Sequence, residues 1–274
     1  MTGSGLKAKV AVVTGGGHGI GRALCRRLAR DGITVVVADL DGAAASKVAA
    51  EIEGSAHQLD VSDEAALIAM VKDVEASVGP IDMFVSNAGV GFGDGESGAV
   101  SADGGMNPID DRWSACWNVN VMAQVYAARA VIPGMLERGA GYIINTASAA
   151  GLLSQIGDSA YSASKHASVG FAESLAIDYG DRGIQVSVVC PQAVATRMIG
   201  MGDDSNATEG GFKGNDVDGI MQAEDVADIV IDQALAGRFM ILTHPQVATY
   251  MQRKSGDYDR WVGGMRKLRR SLLD

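Results

Sequence analysis

Val10-Ala-Val-Val-Thr-Gly-Gly-Gly-His-Gly-Ile-Gly21 is the stretch that decides the fold of this chain. Four small or β-branched apolar residues run straight into a cluster of glycines, and the cluster runs into the start of a helical pattern. That order predicts a buried strand, a tight turn and a helix. Gly15, Gly19 and Gly21 are spaced GxxxGxG, with Gly17 and His18 inside the turn. Glycines allow the turn to close and let another group approach the backbone. A helix starting near Ile20 aims its unpaired N–H groups and the positive end of its dipole at a phosphate. A glycine pattern alone carries little weight. Its position on the first strand–helix junction makes it much stronger evidence for a phosphate-binding turn.

The same alternation continues outward from this turn. Short apolar, β-branched runs predict strands at 10–13, 33–38, 56–59, 81–85, 142–145, 184–189 and 239–242. Longer stretches with helical apolar spacing predict helices at 20–30, 43–52, 64–77, 112–136, 159–179 and 224–235. The strands read as continuous apolar runs, as expected where both faces of a parallel sheet are covered. The expected fold is therefore an α/β, doubly wound parallel sheet with helices on both faces, in a single domain over 1–274. Two glycine-rich segments, 91–110 and 200–218, interrupt the rhythm after strands and should lie at the carboxyl edge of the sheet, where such folds bind ligands. The span 200–222 is expected to form a substrate lid. The tail, 245–274, has seven basic and three acidic residues and reads first as a solvated helix face, then as a possible subunit contact.

Composition narrows the function classes. The chain has 274 residues, 47% of them hydrophobic, and a net charge of −10 from 23 basic and 33 acidic groups. That balance disfavours a nucleic-acid binder, which needs a basic face. Cys25, Cys116 and Cys190 are far apart and form no CxxC or Cys/His cluster. They are expected to be small buried residues, with no metal site and no disulfide framework. The first apolar run stops at Thr14, too early for a signal peptide or membrane span, which points to a cytoplasmic protein without membrane attachment.

The chemistry is concentrated at a few positions. The second strand ends on Asp39, about twenty residues after the glycine turn, where a carboxylate can accept hydrogen bonds from both ribose hydroxyls and repel a 2′-phosphate. Leu40 follows where a basic residue would suit that phosphate, so NAD is favoured over NADP. Asp60, with Val61 beside it, is placed to face the adenine; helix capping there falls to Ser62 and Asp63. Tyr161 and Lys165 are four apart within a helical stretch and so share one face. A nearby ammonium and a positive nicotinamide ring favour the phenolate, which equips Tyr161 to exchange a proton with an alcohol. Ser148 lies just past a strand end at the same sheet edge and can hold the substrate oxygen.

Together these residues resemble the short-chain dehydrogenase/reductase family over roughly residues 7–243. Thr14 to Gly21 is similar to its TGxxxGIG turn, and Ser86-Asn87-Ala88-Gly89 to its NNAG strand end. Asn120 falls at the family's helix asparagine, Ser148, Tyr161 and Lys165 at its serine and YxxxK, and 191–196 at its PG-x-V-x-T segment. The resemblance implies a Rossmann-type sheet, hydride transfer to or from NAD, and a dimer or tetramer. It implies Tyr161 as acid/base, Ser148 as carbonyl anchor, Lys165 on the nicotinamide ribose, and Asn120 holding a proton-relay water. Asn87, Ala88 and Gly89 would line the adenosine side, and Thr146, Pro191, Val194 and Thr196 the nicotinamide end. Two positions depart from the pattern. Ser86 replaces an asparagine, and Gln192 replaces the glycine after Pro191, which puts a long amide near the nicotinamide and alters the pocket.

Around this centre, Phe92, Ala149, Ala150, Gly151, Leu152, Leu153, Met198, Ile199 and Met201 suggest an apolar, adaptable pocket. Arg197 is the one arginine in these stretches, which disfavours a carboxylate next to the reacting carbon. The expected substrate is a hydrophobic secondary alcohol or its ketone, with cyclic, terpenoid or steroid-like skeletons as candidates. Three rival readings are an NADPH-dependent 3-ketoacyl reductase, against which Asp39 speaks; a sugar-nucleotide epimerase, which should show a different glycine spacing and a longer C-terminal substrate domain; and a non-catalytic NAD-binding redox sensor, which should lack part of the Ser–Tyr–Lys set.

Overall fold

The computed structural model describes residues 8–92, 111–201 and 218–273. Seven strands form one sheet: β1 (Val10–Thr14), β2 (Thr34–Asp39), β3 (Ser55–Gln58), β4 (Met83–Ser86), β5 (Gly141–Thr146), β6 (Ile184–Val189) and β7 (Met240–Ile241). Their order is β3-β2-β1-β4-β5-β6-β7, with every pairing parallel. The order reverses between β1 and β4, which opens a crevice at their carboxyl ends.

The pleat explains the continuous apolar runs, because alternate residues serve two cores. Val12, Val36, Phe84, Ile143 and Val186 point to one face, where α3 (Glu64–Ser77), α5 (Ala123–Arg138) and α7 (Ser159–Tyr179) cover them. Ala11, Val13, Val35, Val37, Met83, Val85 and Ile144 point to the other, against α1 (Gly19–Arg30), α2 (Gly42–Glu51) and α8 (Ala223–Leu235). β3 is the exception. It is a partly exposed edge strand of Ser, Ala, His and Gln, which is why its sequence signal is weak.

The structure differs from the sequence expectation in three places. The long helix expected over 112–136 is broken into α4 (Asp111–Trp117), a π turn (Asn118–Met122) and α5. The wide turn has poorer internal bonding. Three hydrogen bonds made by the buried Asn120 amide offset this: Nδ2 to Val90 O and to Ser164 Oγ, and Oδ1 from Val90 N, each 2.9 Å. A short helix, α6 (Ala150–Leu153), follows β5 directly. The tail forms α9 (Gln246–Gly256) and α10 (Tyr258–Leu273), docked through Val247, Tyr250 and Trp261 on Ala149, Leu152, Leu153 and Leu242. Most of segment 91–110, most of segment 200–218 and most of the expected lid lie outside the described residues. No disulfide joins Cys25, Cys116 and Cys190, and all three are buried. Among the described residues no His/Cys/Asp/Glu group has metal-binding geometry, and no helix is long and apolar enough to cross a membrane.

Candidate active site

A cleft of about 380 Å³ runs along the carboxyl edge of the sheet. Its walls include Asp39, Leu40, Asp60 and Val61 at one end and Thr146, Ser148, Tyr161, Lys165 and Gln192 at the other. Between them lie Gly15, His18, Gly19 and Ile20 of the turn, Asn87, Ala88 and Gly89 after β4, and Pro191, Val194 and Thr196 after β6.

The glycine turn is built by close approach. A Cβ on Gly15 would meet Ala88 Cα at 2.9 Å, and Gly15 has a positive φ of 64°. A Cβ on Gly21 would sit 2.0 Å from Gly15 O. Gly21 therefore closes the turn from within and is not part of the cleft wall. Gly17 is also behind the wall; its N–H donates to Asp39 Oδ2 at 2.8 Å, while Asp39 Oδ1 accepts from Asp41 N at 3.0 Å. Thr14 Oγ1 accepts from Asn87 N and Ala88 N, and Asn87 Nδ2 donates to Thr14 O, so the ends of β1 and β4 are tied across the crevice. His18 Nε2 lies 3.2 Å from Arg197 Nη1 and 3.5 Å from Asp41 Oδ2. Asp63 caps α3 by accepting from Ala66 N, and Asp60 accepts from Ser62 N and Oγ. The residues present fit a dinucleotide: a backbone cradle that excludes side chains, a helix N-terminus behind it, and a carboxylate oriented by two backbone donors.

At the other end, Asp158 caps α7 by accepting from Tyr161 N at 2.9 Å, and this sets the first turn that carries Tyr161. Burial pushes the Tyr161 phenol up to about 12, partly opposed by a hydrogen bond with Ser148. Burial also pulls Lys165 down to about 8. Its Nζ donates to Thr146 O at 3.0 Å and lies 5.6 Å from the Tyr161 ring centroid. Ser148 Oγ accepts from Ala150 N at 3.1 Å, which fixes it at the start of α6. Gly151 is required there, since a Cβ would sit 2.4 Å from Lys165 O. The chain by itself thus favours a neutral phenol, and positive charge beside it, from the Lys165 ammonium or from a cationic ligand, shifts the phenol towards its anion.

The sequence-derived pocket needs correction at five residues. Ala149, Ala150, Met198 and Ile199 line the cleft, whereas Phe92, Gly151, Leu152, Leu153 and Met201 do not; Leu153 lines a neighbouring cavity instead. Asn120 also lies behind the wall, although a Cβ on Gly89 would be 3.2 Å from both Asn120 Oδ1 and Lys165 Nζ. Sequence reasoning missed Gln155, Val90, Val119 and Ala147 on the wall. Gln155 follows α6 and had no motif to mark it.

The family model described as short chain dehydrogenase matches residues 9–206, and this chain belongs to that family. A 1-deoxy-11-beta-hydroxypentalenate dehydrogenase of Streptomyces exfoliatus is 35% identical over 263 residues, covering 94% of this chain and 90% of the relative. A meso-2,3-butanediol dehydrogenase of Serratia marcescens is 36% identical over 193 residues, covering 69% of this chain and 73% of the relative. A short chain dehydrogenase/reductase crystal structure from Burkholderia phymatum, in complex with NAD, superposes with a TM-score of 0.78 at 31% identity, covering 92% of this chain and 94% of that one. The protein is accordingly an oxidoreductase of alcohol or carbonyl substrates that uses a nicotinamide dinucleotide.

Proposed function

We propose that the protein oxidises a hydrophobic secondary alcohol to its ketone with NAD, and runs the reverse reaction with NADH. The observation that carries this reading is one continuous cleft with Asp39 at one end and Ser148, Tyr161 and Lys165 at the other. Asp39 would hold the adenosine ribose hydroxyls, the backbone from Gly15 to Ile20 the pyrophosphate, and Thr146, Pro191, Val194 and Thr196 the nicotinamide end. A bound oxidised nicotinamide supplies the hydride acceptor and a positive ring.

Ser148 Oγ orients the alcohol oxygen, and Tyr161, as the phenolate that nearby positive charge favours, takes its proton and becomes the neutral phenol as the carbon gives up hydride. Lys165 in its ammonium form opposes the burial that keeps the phenol protonated, and its bond to Thr146 O fixes where its charge stands. Asn120, hydrogen-bonded to Val90 and Ser164, keeps the π turn rigid behind Gly89 and Lys165. The apolar walls from Ala149, Ala150, Met198 and Ile199 suit an alcohol with little polarity near the carbinol.

The test is a panel of secondary alcohols and ketones assayed with each nicotinamide cofactor by absorbance. Turnover of hydrophobic secondary alcohols with NAD is the expected result. Turnover confined to short hydroxy acids, or to NADPH with 3-ketoacyl thioesters, would replace the proposal.

A further inference from the structure

A second cavity of about 830 Å³ opens beside the active cleft, and Gln155 and Gln192 line both. Its body is apolar, with Leu153 and Ile156 from the segment around α6 facing Tyr250, Trp261, Met265 and Leu268 of the tail. The tail wall also carries Arg253 and Arg260. Arg253 is stacked on the Tyr250 ring at 5.9 Å, and that ring is fixed in turn by a 2.9 Å bond from its hydroxyl to Asp218 Oδ1 and by Trp261 at 6.5 Å. Both carboxylates on the wall have local work: Asp218 accepts from Tyr250, and Asp257 accepts from Arg260 N at the start of α10. Among the described residues neither Arg253 nor Arg260 forms an ion pair. At the junction, Gln192 Oε1 is buried without a hydrogen-bond partner among the described residues.

We propose that this second cavity is the distal half of the substrate site, and that it takes the far end of an elongated secondary alcohol whose apolar body ends in a carboxylate. The inference rests on the oxidoreductase reading of the first cleft, because continuity through Gln155 and Gln192 is what makes the two cavities one site. The carbinol lies at Ser148 and Tyr161. The chain passes Gln192, whose free carbonyl oxygen is available to a donor on the substrate, and runs along Trp261 and Met265. The carboxylate meets Arg253 and Arg260, whose guanidinium groups suit paired hydrogen bonds to its two oxygens. The basic side chains on the first cleft are already engaged, Lys165 with Thr146 O and Arg197 with His18, so the anionic group belongs at the remote end.

The experiment uses the full chain with NAD and three substrate series: alkan-2-ols of increasing length, (ω−1)-hydroxyalkanoates of the same lengths, and their methyl esters. Activity should rise with length, and the long hydroxyacids should exceed their esters in kcat/KM by about tenfold. The double variant Arg253→Gln/Arg260→Gln should abolish that preference while leaving butan-2-ol oxidation unchanged. In parallel, dodecanoate is titrated into the protein by calorimetry; binding should be saturable and weaken by about tenfold in the double variant. Equal rates for acids and esters, a preference that survives the double substitution, or dodecanoate binding that ignores it would each overturn the proposal. Dodecanoate binding that depends on the two arginines, without oxidation of any secondary alcohol, would instead overturn the catalytic reading and leave the cavity assignment standing.

Discussion

Asp39→Ala is the most informative single change, because the structure shows what the carboxylate does before any cofactor arrives. Each of its oxygens already accepts a backbone N–H, from Gly17 at 2.8 Å and from Asp41 at 3.0 Å. The side chain is therefore held in place, with its remaining lone pairs available to ribose hydroxyls. Hydrogen bonds to a charged group contribute about 1.5–3 kcal/mol each, so loss of even one ribose contact should lower kcat/KM for NAD by roughly 10- to 150-fold. The same change removes a repulsion against a 2′-phosphate. Two like charges about 4 Å apart repel by about 4 kcal/mol at an effective dielectric constant near 20, before solvent screening reduces it. The NAD/NADP ratio of kcat/KM should then fall by at least about 100-fold. Asp39→Asn should not be neutral either. Its single oxygen can accept from only one of the two backbone donors, and its NH₂ would face the other. The assay is steady-state kinetics with both cofactors and one alcohol, with thermal melting to confirm that the turn survives. A folded Asp39→Ala protein with an unchanged cofactor ratio would refute the argument.

Other outcomes follow from the same geometry. Tyr161→Phe should lower kcat by about 10³-fold or more, the upper part of the range for a lost acid/base, while NAD binding by fluorescence titration stays within a few-fold of wild type. Lys165, held down to about 8 by burial, binds fewer protons when folded than when unfolded between about pH 8 and 10.5. Stability of the cofactor-free protein should therefore rise with pH across that window, and Lys165→Met should flatten the rise in thermal melts. Tyr161, raised to about 12, has the opposite effect, so its contribution to stability declines from about pH 10 upward; Tyr161→Phe removes that decline. Gly21→Ala would place a methyl carbon 2.0 Å from Gly15 O, a backbone atom that cannot move aside without opening the turn. Its cost should reach about 3 kcal/mol in denaturant unfolding, with loss of dinucleotide binding.

The sequence by itself determined the parallel sheet with its covering helices and which residues its carboxyl edge carries. Strand β6 and helices α3 and α7 fall on their expected boundaries because hydrophobic periodicity and caps such as Asp63 and Asp158 are local properties. Asp39, Ser148, Tyr161 and Lys165 were legible because each sits at a strand end or on a helix face that the alternating pattern places at one edge. Only the tertiary structure decided the rest. The π turn at Asn120 depends on Val90 and Ser164, which are remote in sequence, and no periodicity records their contacts. The difference between glycines that face the cleft and Gly21, which fills it from behind, is a matter of distances between backbones. The joint role of Gln155 and Gln192, and the second cavity with Arg253 and Arg260, arise where the tail folds back on α6. Local pattern fixes elements and their faces, but the meeting of surfaces far apart in the chain is set by packing.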